Sequence, residues 1–190
     1  MRSYSKKCVR KSAYDKGRLR EIVVRARPGV KTQGLMRAGP VVFPCALGRG
    51  GISAAKREGD GATPLGPMRL LGGYFRADRL RPGATGLPMA MIRADLGWCE
   101  VPDDRNYNRA VTIPYAASHE TMRRQDRLYD ICIVLDWNIR PRRRGRGSAI
   151  FFHLARPGFT PTEGCVAVTL ATMRRLLPHL SARTILRVAR

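Results

Sequence analysis

Short apolar runs rich in β-branched residues, each ended by glycine or proline, dominate this 190-residue chain. The strongest run, residues 129–137, holds five consecutive apolar residues at positions 131–135. Runs of this length between turn residues are typical of strands and are shorter than most helices. The pattern therefore predicts a mainly β fold, a sandwich or barrel with a few short helices.

The predicted elements lie between these glycines and prolines along the chain. A helix is expected at 169–180, with its apolar residues on one face and Thr169 as its N-cap. One or two helical turns are expected within 119–128, and residues 97–108 form a polar, turn-rich loop. Strands are predicted at 21–27, 33–48 (a hairpin that turns at 39–40), 68–76, 89–94, 110–115, 129–137, 148–154 and 184–188.

Composition bounds the class of protein. The length suits one domain, placed at residues 21–190 after a basic, flexible tail at 1–20. A hydrophobic content of 44% excludes a disordered polyelectrolyte, although the formal net charge is +22. That charge predicts nonspecific attraction to polyanions, unless the arginines are spread over solvated faces. With 7% aromatic residues, a stacking platform for nucleic-acid bases is not expected.

The sequence shows no feature of a membrane span, a secretion signal or a metal site. Its longest apolar stretches are far shorter than the ~20 residues of a spanning helix, and residues 1–20 have no apolar core. Five cysteines without a C-x-x-C pair argue against a zinc ribbon and a fully paired disulfide framework. We therefore expect reduced thiols, no metal and no cofactor, and an intracellular setting is the direct interpretation.

One segment carries the residues for covalent chemistry. His153 ends an apolar strand, and Cys165 follows twelve residues later, directly after Gly164. A strand, a loop and a return would bring the imidazole to the thiol, where it can accept the thiol proton. A helix start near residue 169 would favour negative charge on Cys165, and peptide N–H groups around Gly164 would form an oxyanion hole. The alternative is a buried structural cysteine and a histidine that satisfies a backbone carbonyl.

This segment resembles the catalytic signature of the L,D-transpeptidases of the YkuD type, H-x(11)-C with [S/T]-x-G-C. The similarity extends upstream to T-P-L-G-P-M at 63–68 and to the strings G-W-C…Y-N-R and H-E-T-M…Y-D, in order across about residues 20–190. The subgroup that it suggests carries T-E-G-C-V-A in place of S-x-G-C-V-R.

The resemblance implies a β-sandwich-like domain and a ping-pong reaction on the tetrapeptide stems of peptidoglycan. Carried over by position, Cys165 is the nucleophile, His153 is the base and Gly164 belongs to the oxyanion region. The cysteine would attack the bond between meso-diaminopimelate and the terminal D-Ala, and an acceptor amine would then complete a 3→3 cross-link. The resemblance also implies inhibition by carbapenems. It implies action in the periplasm or cell envelope, with the cytoplasm as the alternative.

Three positions depart from the family pattern. Ala167 stands where arginine is usual, Thr162 where serine is common, and Leu154 where glycine usually follows the histidine. Arg156, in the loop between the histidine and the cysteine, is the first candidate to replace the missing arginine. Thr162 and Arg156 are accordingly predicted to bind substrate.

Four further residues are predicted to bind substrate. Trp98, Tyr107 and Asn108 lie in a loop suited to gripping a peptide or sugar, with a loop pinned by its own aromatic side chains as the alternative. His119 would add a polar group to the pocket, with surface or capping chemistry as the alternative.

Three functions remain open from the sequence. The first is a peptidoglycan L,D-transpeptidase, and the second is an L,D-carboxypeptidase or amidase on the same substrate, in which water replaces the acceptor amine. The third is a catalytically inactive protein that binds polyanions. Intact His153 and Cys165 favour the first two, whereas the charge and Ala167 keep the third open.

Overall fold

The computed structural model describes residues 17–190, and within them the fold is mainly β, as the sequence predicts. One α-helix, α1 (Leu170–Leu176), and two short 3-10 helices, Pro157–Phe159 and Leu177–His179, accompany the strands. The strands are β1 (Glu21–Arg27), β2 (Val30–Ala38), β3 (Val41–Ala46), β4 (Ile52–Ser53), β5 (Thr63–Pro64), β6 (Gly66–Phe75), β7 (Met89–Met91), β8 (Leu96–Cys99), β9 (Ala110–Thr112), β10 (His119–Thr121), β11 (Ile131–Leu135), β12 (Phe151–Leu154), β13 (Val166–Val168) and β14 (Ile185–Ala189).

Most of the strands belong to one sheet that closes on itself. Its order is β11-β12-β13-β3-β2-β1-β14-β6-β7, and β6 also pairs with β11. Eight strands, from β11 round to β6, therefore form a barrel without free edges, and β7 is added to β6 in parallel. Two small sheets, β10-β8-β9 and β4-β5, lie outside this ring.

The barrel interior is the larger hydrophobic core. Alternate residues of each strand point inward, and Ile22 and Val24 of β1 and Met36 of β2 are fully buried there. Met173 and Leu176 of α1 belong to the same core, so the helix is held by its apolar face.

A second core covers the outer face of β11 and β12. Cys132 and Val134 of β11 and Phe151 of β12 point away from the barrel and pack against Trp98 and other residues of the segment 92–130, which carries the β10-β8-β9 sheet. Because β11 and β12 are covered on both faces, their sequences are apolar at successive positions, with His153 of β12 as the exception, rather than alternating. This outer face also holds the candidate site.

The C-terminal helix has the predicted cap but is shorter than predicted. The Thr169 hydroxyl accepts a hydrogen bond from the Thr172 N–H at 3.1 Å. The α-helix ends at Leu176 and continues as a 3-10 turn, because Pro178 has no N–H to offer the helical ladder. The hairpin predicted to turn at 39–40 is β2–β3.

The helical turns predicted within 119–128 are wrong. Residues 119–121 form β10, which pairs antiparallel with β8, so that His119 opposes Cys99 and Glu120 opposes Trp98. The backbone groups of this segment find sheet partners far away in the chain, and this pairing overrides the local pattern. Residues 97–99, at the start of the predicted loop 97–108, accordingly belong to strand β8.

Residues 1–16 of the predicted tail lie outside the described residues. The chain is anchored by Leu19, which packs against the barrel core. The Leu19 N–H donates to the His179 carbonyl at 2.8 Å, and its own carbonyl accepts a hydrogen bond from the Thr184 hydroxyl at 2.7 Å. Across residues 17–190, no helix has both the length and the apolar character to cross a bilayer.

Candidate active site

The pairing of β12 with β13 places His153 and Cys165 on the same side of the sheet. The two strands are parallel, with His153 opposite Ala167, and Cys165 directly precedes β13. Side chains at alternate positions of these strands point away from the barrel core. Cys165, His153 and Ala167 all line one pocket of about 290 Å³ on this outer face.

The Cys165 thiol is buried and protonated at rest. Only 6% of the residue is exposed, and its Sγ accepts a hydrogen bond from the Phe151 N–H at 3.3 Å and donates one to the Ala149 carbonyl at 3.2 Å. Burial raises the pKa of Cys165 to about 12, and the Phe151 N–H offsets this only in part. A base must therefore remove the proton during the reaction.

His153 is a neutral imidazole with a defined tautomer. Its Nδ1 lies 2.8 Å from the Leu154 carbonyl oxygen, which can only accept, so Nδ1 carries the hydrogen and Nε2 is left as an acceptor. Burial lowers the pKa of His153 to about 4, which keeps the ring uncharged at neutral pH. The group that orients the ring is a backbone carbonyl, which every residue has. Leu154 can therefore provide it at a position where glycine is usual.

The thiol is not hydrogen-bonded to the imidazole in this structure. The recorded partner of the thiol hydrogen is Ala149, and the recorded partner of His153 is Leu154. Proton transfer from Cys165 therefore requires the thiol to turn from the Ala149 carbonyl toward the ring, an adjustment that is common between resting and substrate-bound sites.

The predicted help from the helix N-terminus does not occur. Strand β13 lies between Cys165 and Thr169, and an extended chain of this length spans about 13 Å. The influence of a helix end falls off within about its first turn, so the start of α1 is too far away to stabilise a thiolate.

The turn before the cysteine is held by Thr162 and requires Gly164. The Thr162 hydroxyl donates to the Cys165 carbonyl at 2.7 Å and accepts from the Gly164 N–H at 3.2 Å. Gly164 has a φ of +128°, and a Cβ there would lie 2.8 Å from the Ala62 carbonyl oxygen. Thr162 lines the pocket, but its hydroxyl is engaged within the turn rather than left free for substrate.

The loop 48–64 supports this turn through a buried ion pair. The Lys56 side chain is 2% exposed, and its Nζ lies 2.5 Å from Asp60. Burial raises the pKa of Asp60, but hydrogen bonds from Lys56, Ala62 and Arg57 outweigh it and leave the pKa below its usual value. The pair fixes the loop whose Ala62 carbonyl abuts Gly164.

Trp98, Tyr107 and Asn108 lie inside the protein, which favours the pinned-loop interpretation. None of them lines the pocket that contains Cys165. Trp98 packs edge-on against Phe151 at 5.2 Å between ring centres and donates to the Asn108 side-chain oxygen. The Tyr107 hydroxyl donates to Glu58.

Asn108 acts on the site indirectly. Its side-chain oxygen accepts a hydrogen bond from the Ala149 N–H at 3.0 Å, and Ala149 has a positive φ of 51°. The carbonyl of Ala149 is the acceptor for the Cys165 thiol, so Asn108 positions the backbone that holds this thiol.

His119 points away from the pocket, whereas its neighbour Glu120 lines it. His119 bonds the Ala117 carbonyl at 2.8 Å and packs against Tyr115, on the far face of β10. Alternation along β10 places Glu120 on the face shared with Trp98. If residues 119–121 had been predicted as a strand, Glu120 rather than His119 would have been assigned to the pocket.

Arg124 is the residue that sequence reasoning missed. Its guanidinium lies 5.3 Å from the centre of the Tyr129 ring, which packs edge-on against His153 at 5.2 Å. Arg124 donates to Glu120 at 2.6 Å and to Asp126 at 2.8 Å. Burial raises the pKa of Glu120, and the charge of Arg124 offsets this in part.

The position of the missing family arginine is on the pocket wall. Ala167 is opposite His153 on the neighbouring strand, and its small side chain leaves space there. Two guanidiniums line the pocket from elsewhere. Arg124 comes from the segment 92–130, and Arg156, which lies 3.5 Å from Asp126, comes from the loop that joins β12 to β13.

The pocket is acidic in a strongly basic protein. Four glutamates line it together with Arg124 and Arg156, although the chain carries a net charge of +22: Glu58, Glu100, Glu120 and Glu163. Among residues 17–190, no group of three His, Cys, Asp or Glu side chains could hold a metal ion. The pocket offers a thiol, a neutral imidazole and charged side chains of both signs.

A cysteine nucleophile with an imidazole base defines a class of acyl-transfer sites, and the family comparison is consistent with it. The family model described as the L,D-transpeptidase catalytic domain (YkuD) matches residues 23–188, nearly the whole chain. The protein belongs to this family. No curated protein and no solved structure matches the chain.

Proposed function

We propose that this protein is a cysteine-dependent L,D-transpeptidase that acts on the stem peptides of peptidoglycan. The observation that supports it best is the pocket, where Cys165 and a His153 with an unprotonated Nε2 line the same wall. Membership in the family supports the reaction type and the substrate class. The substrate places the proposed reaction in the cell envelope.

In the proposed first half-reaction, His153 acts as a general base. Nε2 accepts the Cys165 proton as Sγ attacks the carbonyl carbon between meso-diaminopimelate and D-Ala. The tetrahedral intermediate collapses, the C–N bond breaks, and the imidazolium returns its proton to the amine of the departing D-Ala. The enzyme is left as a thioester at Cys165.

In the second half-reaction, an acceptor amine attacks the thioester. His153 removes a proton from the attacking nitrogen, the new amide forms, and the C–S bond breaks. The departing thiolate of Cys165 takes the proton back from His153, which restores the resting pair. Water in place of the amine gives hydrolysis, the L,D-carboxypeptidase reaction.

The turn at Cys165 supplies the proposed oxyanion donor. The Gly164 N–H is engaged by the Thr162 hydroxyl, so we assign the Cys165 N–H as the donor to the developing oxyanion. Gly164 contributes through its backbone conformation, which no residue with a Cβ could adopt without moving Ala62.

The pocket charges favour an amine as the acceptor. Glu58 and Glu100 line the pocket without an ion pair among the described residues, and they attract a protonated amine, which loses a proton before it attacks. Arg156, which lies 3.5 Å from Asp126, supplies a cation for a carboxylate of the stem peptide in place of the arginine absent at Ala167, because Arg124 is already engaged by Glu120 and Asp126.

The test is intact-mass spectrometry of the protein with a disaccharide tetrapeptide and, separately, with a carbapenem. We expect an acyl-enzyme with loss of D-Ala, and an adduct of one drug mass. Cys165→Ala should abolish both, and His153→Ala should slow adduct formation by about 100-fold or more. Cys132→Ala is the matched control, because this buried thiol lies on the neighbouring strand opposite His153 and should retain the adduct.

The products separate the three functions. A cross-linked dimer supports the transpeptidase, and a tripeptide with no dimer at high acceptor concentration supports the carboxypeptidase. An adduct that persists in Cys165→Ala contradicts the site. The absence of any adduct in the unmodified protein supports the inactive, polyanion-binding alternative.

A further inference from the structure

The outer face of β1 lies on the opposite side of the barrel from the pocket, and the outer faces of β2 and β3 continue it toward β13. In the closed ring of eight strands, β1 is four strands away from β12 in either direction. The outward side chains of this face include the exposed residues Arg25, Leu35, Arg37 and Val42. This face is therefore free of the second core that covers β11 and β12.

Strand register places arginines and aliphatic residues side by side on this face. Arg25 is opposite Leu35, and Arg37 is opposite Val42. Leu35 and Val42 are 43% and 53% exposed, among the most exposed large apolar side chains of the protein. We call the outward residues of β3, β2, β1 and β14 in this region the basic face: Arg25, Leu35, Arg37, Val42, Pro44 and Arg187.

The basic face carries an excess of positive charge. Within the described part of the chain, its one recorded ion pair joins Arg187 to Glu21 at 2.6 Å. Arg25 donates to a main-chain oxygen of Arg190, the last residue of the given chain, at 3.1 Å. No acidic partner is recorded, among residues 17–190, for the side chain of Arg37. The face therefore attracts anions.

We propose that the basic face binds the surface of an anionic lipid bilayer. Guanidiniums pair with phosphate headgroups, and the exposed Leu35 and Val42 side chains enter the headgroup boundary, where burial of apolar area adds to the electrostatic attraction. The face spans roughly 14 Å from β3 to β14 at the usual strand spacing, enough for a few headgroups. It has no aromatic side chain on which an unpaired base could stack, which disfavours a single strand, and the phosphate backbone of a duplex offers no apolar contact for Leu35 and Val42.

Binding by this face has a consequence for the active site. With β1 and β2 on the bilayer, the pocket on β12 and β13 is directed away from the lipid. If the proposed function holds, the site then faces the wall polymer while the protein stays at the membrane surface. The lipid contact itself does not depend on that function.

The test is flotation of the full chain with vesicles of phosphatidylglycerol and phosphatidylcholine, against vesicles of phosphatidylcholine alone. We expect binding to the anionic vesicles only. Arg25→Gln with Arg37→Gln should weaken this binding by about tenfold or more. Leu35→Ser with Val42→Ser should weaken it by about threefold or more without a change of charge.

The matched control removes the same charge elsewhere. Arg143→Gln with Arg144→Gln, in the exposed segment 140–146, should stay within about twofold of the unmodified protein. Equal weakening by this control overturns the assignment to the basic face. If the Leu35/Val42 variant binds vesicles as tightly as the unmodified protein, and duplex DNA binds as tightly as the vesicles, the assignment of a lipid partner is overturned. A soluble polyanion is then favoured.

Two readouts keep the outcomes distinct. Thermal unfolding of each variant establishes that the barrel is intact. The carbapenem adduct at Cys165 reports on the proposed function separately. If no variant forms the adduct but the vesicle results are as expected, the lipid contact stands and the enzymatic proposal fails.

Discussion

At the level of single residues, burial decides the ionisation of both reacting groups. Cys165 is a thiol and His153 a neutral imidazole at pH 7, because each would lose solvation on becoming charged. A preformed thiolate–imidazolium pair is therefore not the resting state. In the proposed reaction the thiolate forms only as the imidazole takes its proton, so we expect acylation near neutral pH to require His153.

The buried His153 also makes stability depend on pH. Its pKa falls from about 6.5 in the unfolded chain to about 4 in the folded protein, so the unfolded chain binds the extra proton first. The free energy of unfolding should therefore fall as the pH drops from 6.5 to 4, by about 3 kcal/mol from this group. Urea unfolding at a series of pH values measures this decrease in the free energy of unfolding.

The histidine variants identify the source of this dependence. His153→Gln should remove most of the loss between pH 6.5 and 5, where few carboxylates titrate. His179→Gln, at an exposed position, should leave the loss unchanged. The same pH dependence in both variants would show that another group is responsible.

At the level of elements, the site is formed where two loops meet on the outside of the barrel. The turn 162–164 packs against the loop 48–64, and the Thr162 N–H donates to the Leu47 carbonyl at 2.9 Å. The Lys56–Asp60 pair keeps the second loop in place from within. Loss of that pair should therefore lower both the free energy of unfolding and the reactivity of Cys165.

Lys56→Met tests this support. It leaves Asp60, whose side chain is 26% exposed, without its buried cation, and we expect a loss of about 2 kcal/mol in unfolding free energy together with slower carbapenem acylation. Arg49→Met is the matched control, since it breaks an ion pair with Glu163 whose side chains are 58% and 76% exposed. It should cost less than about 1 kcal/mol. Similar losses in the two variants would contradict the structural role of the buried pair.

At the level of the whole molecule, the charges are divided between two regions. The pocket is lined by four glutamates, whereas the opposite side of the barrel is basic. Such a distribution attracts long charged polymers at a distance, separately from any contact made inside the pocket. Small uncharged groups entering the pocket are less affected.

Salt should separate these two effects. Raising ionic strength from about 0.1 M to 1 M shortens the screening length from about 10 Å to about 3 Å. Turnover on intact wall material should slow several-fold, while the rate of carbapenem acylation at Cys165 should change by less than about twofold. Equal slowing of both rates would instead show that arginines act at the reacting bond, with Arg124 and Arg156 as the first to replace by glutamine.

The sequence determined the features that depend on neighbouring residues. Apolar runs between glycines and prolines predicted the β fold and the β2–β3 hairpin, and Thr169 marked the start of α1, because turn geometry and capping are local. The spacing of His153 and Cys165 likewise singled out the pair that now lines one pocket.

Only the tertiary structure decided which side chains reach that pocket. Pairing between β8 and β10 made 119–121 a strand, which sent His119 outward and brought Glu120 and, four residues on, Arg124 to the site. Parallel pairing of β12 with β13 made residues 166–168 an extended strand, which keeps the correctly predicted start of α1 away from Cys165. Both outcomes depend on hydrogen bonds between segments distant in the chain, and such pairing fixes the direction of each side chain in a way that no local pattern encodes.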